Sequence, residues 1–163
     1  MSKYIFLDID GVLNSLDYFK SVKNIKGYKE INPEKVELLK EIVEQTGAKI
    51  ILSSTWRDLA ASETHEEHEL YSYLLEMLRK FGLSIVDRTP YVNQNRPQEI
   101  KTWLQNNTHE DNVRFVSLDD DYPKEEYDKY GMGDCLVKTS FYAPDGGLNK
   151  EHVKRSIEIL NGE

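Results

Sequence analysis

Two carboxylates close an apolar run near the start of the chain. In KYIFLDIDGVLN, Tyr4 to Leu7 lead straight into Asp8, with Asp10 and Gly11 following. A buried carboxylate without a partner is costly, so the pair needs either solvent or a cation. Two more apolar runs end the same way: IILSS at Ser53, and VRFVSLDDD at Asp119, Asp120 and Asp121. If these runs are parallel strands, their polar ends share one edge of the sheet, the edge where open α/β folds bind ligands. Asp8, Asp10, Asp119 and Asp120 then crowd one crevice. Two unit charges 4 Å apart repel by roughly 4 kcal/mol at an effective dielectric near 20. A divalent cation relieves that repulsion, and an all-oxygen set with no Cys and His cluster points to Mg²⁺. Arg96 precedes Pro97 at the start of an expected helix, the unfavourable end for a cation unless an anion shares the site. Arg57 in SSTWR and Arg88 compete with it for that anion.

The elements that position these residues follow from hydrophobic patterning. Tyr4–Leu7, Ile50–Leu52, Ile85–Val86, Val113–Leu118 and Leu136–Val137 read as short buried strands. Asn32-Pro33 caps and opens a helix with Val36, Leu39, Ile42 and Val43 inward, and Gly47 stops it. Further helices are expected from Glu66 to Phe81, from Pro97 through Leu104, and at the C-terminus with Val153, Ile157 and Leu160 inward. Residues 11 to 32, including Gly27 and Tyr28, read as a hairpin or loop excursion. Strands alternating with helices predict a doubly wound, mainly parallel five-stranded α/β sheet with helices on both faces. The 163 residues suit one domain spanning 1–163.

The bulk properties narrow the function. A net charge of −8 argues against an extended basic nucleic-acid surface but permits a local anion site. The one cysteine, Cys135, excludes an internal disulfide and reads as a small core residue. No run reaches transmembrane length and no apolar signal core opens the chain, so a cytoplasmic protein with no membrane partner is expected. HEEHE at His65–Glu69 lacks the second histidine of a His-Glu-x-x-His zinc site and reads as a solvated first turn. Trp56 reads as packing, and Tyr122, Tyr127 and Tyr130 are expected to line substrate access.

Four of these stretches, in order, resemble the motifs of the haloacid dehalogenase superfamily of phosphohydrolases. DIDGVLN is similar to its first motif and IILSS to its second. Arg96 stands where the third places a Lys or Arg, and FVSLDD is similar to the fourth. LSSTWR and the short length further resemble the small domains of this kind associated with RNA-repair proteins. The resemblance implies an Mg²⁺-dependent phosphomonoester hydrolase in which Asp8 is the nucleophile and Asp10 the acid and base. It implies a metal held by Asp8, the main chain of Asp10, and Asp119, with Asp120 sharing or replacing Asp119. It implies phosphate contacts from Ser53 (or Ser54) and Arg96, with Arg57 as a further phosphate or substrate contact. Val12 departs from the commoner Thr. The short stretch between Gly11 and Asn32 implies little or no cap and an open site. Such a site suits a phosphorylated substrate, small or macromolecular: a nucleic-acid end, a nucleotide or a phosphoprotein. Two other classes compete. Receiver domains of response regulators place their acids and Ser/Thr in a different strand order. An inactive phosphate-binding module would not need both Asp8 and Asp10.

Overall fold

The computed structural model describes residues 1–22, 30–109 and 111–163. Five strands, β1 (Ser2–Leu7), β2 (Lys49–Leu52), β3 (Ile85–Arg88), β4 (Val113–Asp119) and β5 (Leu136–Lys138), form one sheet in the order β3-β2-β1-β4-β5. Every pairing is parallel. The helices are α1 (Leu16–Ser21), α2 (Pro33–Thr46), α3 (Glu69–Lys80), α4 (Arg96–Asn107), α5 (Lys124–Asp128) and α6 (Lys150–Asn161).

The two-residue period of β1 separates two cores. Ile5 and Leu7 join Val36, Leu39 and Ile42 of α2, Leu74 and Leu78 of α3, and Val153 and Leu160 of α6. Phe6 instead joins Ile51, Ile100 and Trp103 of α4, and Tyr127 of α5. Trp103 meets Tyr4 and Phe6 edge-on, with ring centroids 5.0 and 5.5 Å apart. A strand buried on both faces must read as a continuous apolar run, which is why YIFL carries no alternation. The fold is thus the expected α/β sheet, parallel throughout.

Helix ends follow local chemistry. The Asn32 side chain accepts from the Glu34 N–H, Pro33 opens α2, and Gly47 closes it at φ 73°. Asn95 caps α4 by accepting from the Gln98 N–H. Two expectations are corrected. Residues 11 to 32 contain α1, because Ser15 accepts from the Tyr18 N–H and starts a turn; Gly27 and Tyr28 lie outside the described residues. Helix α3 begins at Glu69 rather than Glu66, because His68 Nδ1 accepts from the Leu70 N–H and acts as the cap. Among the described residues, the connections from β1 to α2, β2 to α3 and β3 to α4 contain only α1 and a 3-10 turn at Thr55–Leu59, in keeping with a minimal cap. No helix is long and apolar enough to cross a membrane.

Candidate active site

Register brings the polar strand ends together. Leu7 lies opposite Leu52 on one side and Leu118 on the other. Ser53, Asp8 and Asp119 follow these leucines directly, so they stand side by side at the carboxyl edge. The ladder continues through them: the Asp8 N–H donates to Leu118 O (3.1 Å), the Ser53 N–H to Leu7 O (2.8 Å) and the Thr139 N–H to Asp119 O (3.0 Å).

Asp8 is 5% exposed and Asp119 fully buried. One carboxylate oxygen from each of Asp8, Asp119 and Asp120 lies within 4.8 Å of the other two. Arg96 Nη1 bridges the first two, donating to Asp8 Oδ2 at 3.2 Å and Asp119 Oδ1 at 2.7 Å. This explains a cation at a helix N-terminus: two carboxylates offset the unfavourable dipole. Burial pushes the Asp8 carboxyl well above the usual carboxylate range; Arg96 pulls it back, and Asp119 and Asp120 push it up further. Burial likewise raises Asp120, with Asp119 and Asp121 adding to the effect.

Asp119 is held from behind. Tyr127, fully buried, donates its hydroxyl to Asp119 Oδ2 (2.8 Å) and shares a hydrogen bond with Ser117 Oγ (2.7 Å). Burial, then the Asp119 charge, pushes the Tyr127 hydroxyl well above its ordinary range, so it stays a donor. The Asp121 N–H also donates to Asp119 Oδ1, at 2.9 Å. Three donors therefore occupy Asp119, while Asp120 is only half-buried.

Asp10 points elsewhere. Its Oδ1 accepts from Asn14 Nδ2 (3.0 Å) and its Oδ2 from Trp56 Nε1 (3.2 Å). Asn14 Oδ1 in turn accepts from the Gly11 N–H (2.9 Å), and Thr139 Oγ1 donates to Gly11 O (2.6 Å). Gly11 has φ 80°, and a Cβ there would come 2.1 Å from Asp120 Oδ2. Only glycine lets the loop pass this close to the carboxylate.

The residues fit a hard divalent cation. One guanidinium faces three clustered carboxylates, and the donors are all oxygen. The cluster contains Asp8, Asp119 and Asp120. The carboxylate of Asp10, expected beside them, is instead turned to Asn14 and Trp56.

The other expected residues divide. Ser53 Oγ is buried with no hydrogen-bond partner, while Ser54 Oγ accepts from the Trp56 N–H as a cap. Arg57 does not offer a free guanidinium to phosphate. It donates to Glu99 Oε1 (2.9 Å) and Thr89 Oγ1 (2.8 Å), and lies 3.7 Å over the Tyr91 ring. Arg88 is exposed at the end of β3. Trp56 packs as expected, 2% exposed, but its ring nitrogen also serves Asp10. Tyr127 is corrected from an access residue to a buried support for Asp119, and Tyr130 packs against its core. Tyr122 does line a cleft beside Arg96. Cys135 is half-buried, and burial raises its thiol. Asn14, Glu99 and Thr139 escaped the sequence reading; the Asn four residues after Asp10 was the one local signal.

A parallel α/β sheet with a buried aspartate at the end of its first strand, a guanidinium on that aspartate and paired acids after the fourth strand defines the haloacid dehalogenase-like class. The family described as the HAD domain in Swiss Army Knife RNA repair proteins matches residues 4–153, and the chain belongs to it. That membership supports a phosphohydrolase-type function. No curated protein matches the chain.

Proposed function

We propose that the protein is an Mg²⁺-dependent phosphomonoester hydrolase that works through an aspartyl-phosphate on Asp8. The observation that carries this reading is Arg96 bridging Asp8 and Asp119, three side chains from distant parts of the chain. A buried carboxylate whose neighbouring acid shares a fixed cation with it suits in-line attack on an anionic phosphoryl group.

Asp8 attacks phosphorus, and the bond to the leaving oxygen breaks. Asp10 gives that oxygen its proton. Water then attacks the aspartyl-phosphate, Asp10 takes the proton back, and Asp8 returns as carboxylate with phosphate released. Asn14 and Trp56 fix the plane of the Asp10 carboxyl for both transfers. Ser53 Oγ, which has no protein partner, donates to a phosphoryl oxygen, and Arg96 offsets charge there. Asp8, Asp120 and the main chain of Asp10 would hold the metal, which when bound offsets phosphoryl charge. Asp119, occupied by Arg96, Tyr127 and the Asp121 amide, positions Arg96.

The family description favours a phosphorylated nucleic-acid end as substrate. A net charge of −8 suits contact with an end rather than a long duplex. We infer a cytoplasmic location, with which the single cysteine is compatible. The test is phosphate release from an aryl phosphate with and without Mg²⁺. Release should require Mg²⁺ and fall at least about 10³-fold in Asp8→Asn. Full activity in that variant would end the proposal.

A further inference from the structure

Beside Arg96 opens a cleft of about 570 Å³, with Arg57, Tyr91, Gln94, Glu99 and Tyr122 among its walls. Its volume lies within the range of small-ligand sites. The mechanism above uses none of these residues except Arg96, which places the cleft immediately next to the phosphoryl position.

Both arginines in its walls carry little free charge. Arg96 is paired with Asp8 and Asp119. Arg57, its side chain 7% exposed, is paired with Glu99, itself 4% exposed. Each guanidinium instead backs an aromatic ring: Arg57 lies over Tyr91 at 3.7 Å and Arg96 over Tyr122 at 5.2 Å from the centroid. Tyr91 is nevertheless 51% exposed.

The walls are built rather than incidental. Glu99 holds Arg57 through one oxygen and accepts from the Val92 N–H through the other, at 3.0 Å, so one buried carboxylate fixes both the arginine and the loop bearing Tyr91. The Tyr122 hydroxyl donates to Gln94 O at 2.9 Å, tying the opposite wall to that loop. Asn93 and Gln94 both adopt positive φ, 53° and 52°, a strained turn that persists only where its surroundings hold it.

A cleft with neutralised arginines and two supported tyrosines, opening from a phosphoryl site, suits a flat, uncharged aromatic group bonded to phosphate through a short linker. We propose that it is the subsite for the nucleoside that carries the scissile phosphate, with the base packed on Tyr91 and Tyr122. This deepens the hydrolase reading and rests on its placement of the phosphate. Asp58, exposed in the same wall, sets like charge against an acidic phosphopeptide, and the peptide probe below tests whether it draws a basic one.

The test is equilibrium titration in Mg²⁺ of the Asp8→Asn protein, which binds without turnover. The probes are adenosine 5′-monophosphate, adenosine 3′-monophosphate, ribose 5-phosphate and a phosphoserine peptide. A stacked base contributes about 5- to 150-fold in affinity. At least one nucleotide should therefore bind about ten-fold or more tighter than ribose 5-phosphate, and the better of the two identifies which end is accepted. Adding Tyr91→Ala should shrink that gap to about two-fold, and Tyr91→Phe should restore it. Equal binding of nucleotide and ribose 5-phosphate, tighter binding of the peptide, or a gap that survives both Tyr91→Ala and Tyr122→Ala would overturn the proposal. A nucleotide gap in a protein that releases no phosphate would sink the hydrolase reading and leave the subsite standing.

Discussion

Arg96 and Arg57 both lie at the carboxyl edge of the sheet, and each donates to a buried carboxylate. Their surroundings differ. Arg96 faces Asp8, Asp119 and a third acid, Asp120, so negative charge remains in excess. Arg57 donates to one buried carboxylate, Glu99, and to the neutral Thr89, so that ion pair is balanced. The first arrangement could hold a cation, and in the proposed mechanism it takes the phosphoryl group. The second holds a wall in place. Helix α4 joins them, since Arg96 and Glu99 are three residues apart and therefore neighbours on its surface. The difference shows that an ion pair at a ligand-binding edge is read from the charge left over around it.

Breaking the balanced pair should cost most in stability. Glu99→Ala leaves the Arg57 guanidinium buried and unpaired, which costs about 3–5 kcal/mol. In a domain of this size that lowers Tm by roughly 6–20 °C, measurable by calorimetry. An unchanged Tm would mean Arg57 escapes to solvent and the wall is not fixed.

Loosening the support of the charged corner should cost less. Tyr127→Phe leaves Asp119 Oδ2 and Ser117 Oγ short of a partner in a buried place, at about 1–3 kcal/mol. Denaturant unfolding should show this loss, and adding Ser117→Ala should recover part of it, because the two hydroxyls act as one network. Phosphate release should fall in Tyr127→Phe as Asp119 loosens its hold on Arg96.

Ser53→Ala separates structure from function. Its hydroxyl has no partner to lose, so Tm should stay within about 1 °C or rise, while kcat/KM falls about 10- to 100-fold through loss of a donor to a charged group. A drop in both would place Ser53 in the fold rather than the reaction.

The smallest effect lies away from both corners. His152 accepts from the Asn149 N–H in the capping box of α6, and burial lowers its ring below its ordinary value near 6.5. The folded state therefore binds this proton less readily than the unfolded state. Its contribution is fully present above pH 6.5 and is lost as pH falls through the lowered value. A His152→Gln protein should show a flatter dependence of stability on pH across that window.

Much of the charged corner was legible because each of its strands is an apolar run that stops at a polar residue, and register then aligns Asp8, Ser53 and Asp119. Arg96 was legible as a cation at the wrong end of a helix. The balanced wall was not. Glu99 in a first helical turn satisfies the dipole and so attracts no notice, and nothing local reveals that it reaches Arg57 and the amide of Val92. Tyr127 sits on a five-residue helix, too short for any period to show which face is buried. Helix α1, six residues long, was hidden for the same reason. Asp10 stood out from its place two residues after Asp8, but its partners Asn14 and Trp56 required the fold of the loop.

The central claim is that Asp8 carries the phosphoryl group. The most direct measurement is mass spectrometry of acid-quenched protein during turnover of an aryl phosphate in Mg²⁺. A phosphoryl adduct on the peptide containing Asp8, removed by hydroxylamine and absent in Asp8→Asn, is the predicted result. Phosphate release with no adduct there, or with the adduct on another residue, would contradict it.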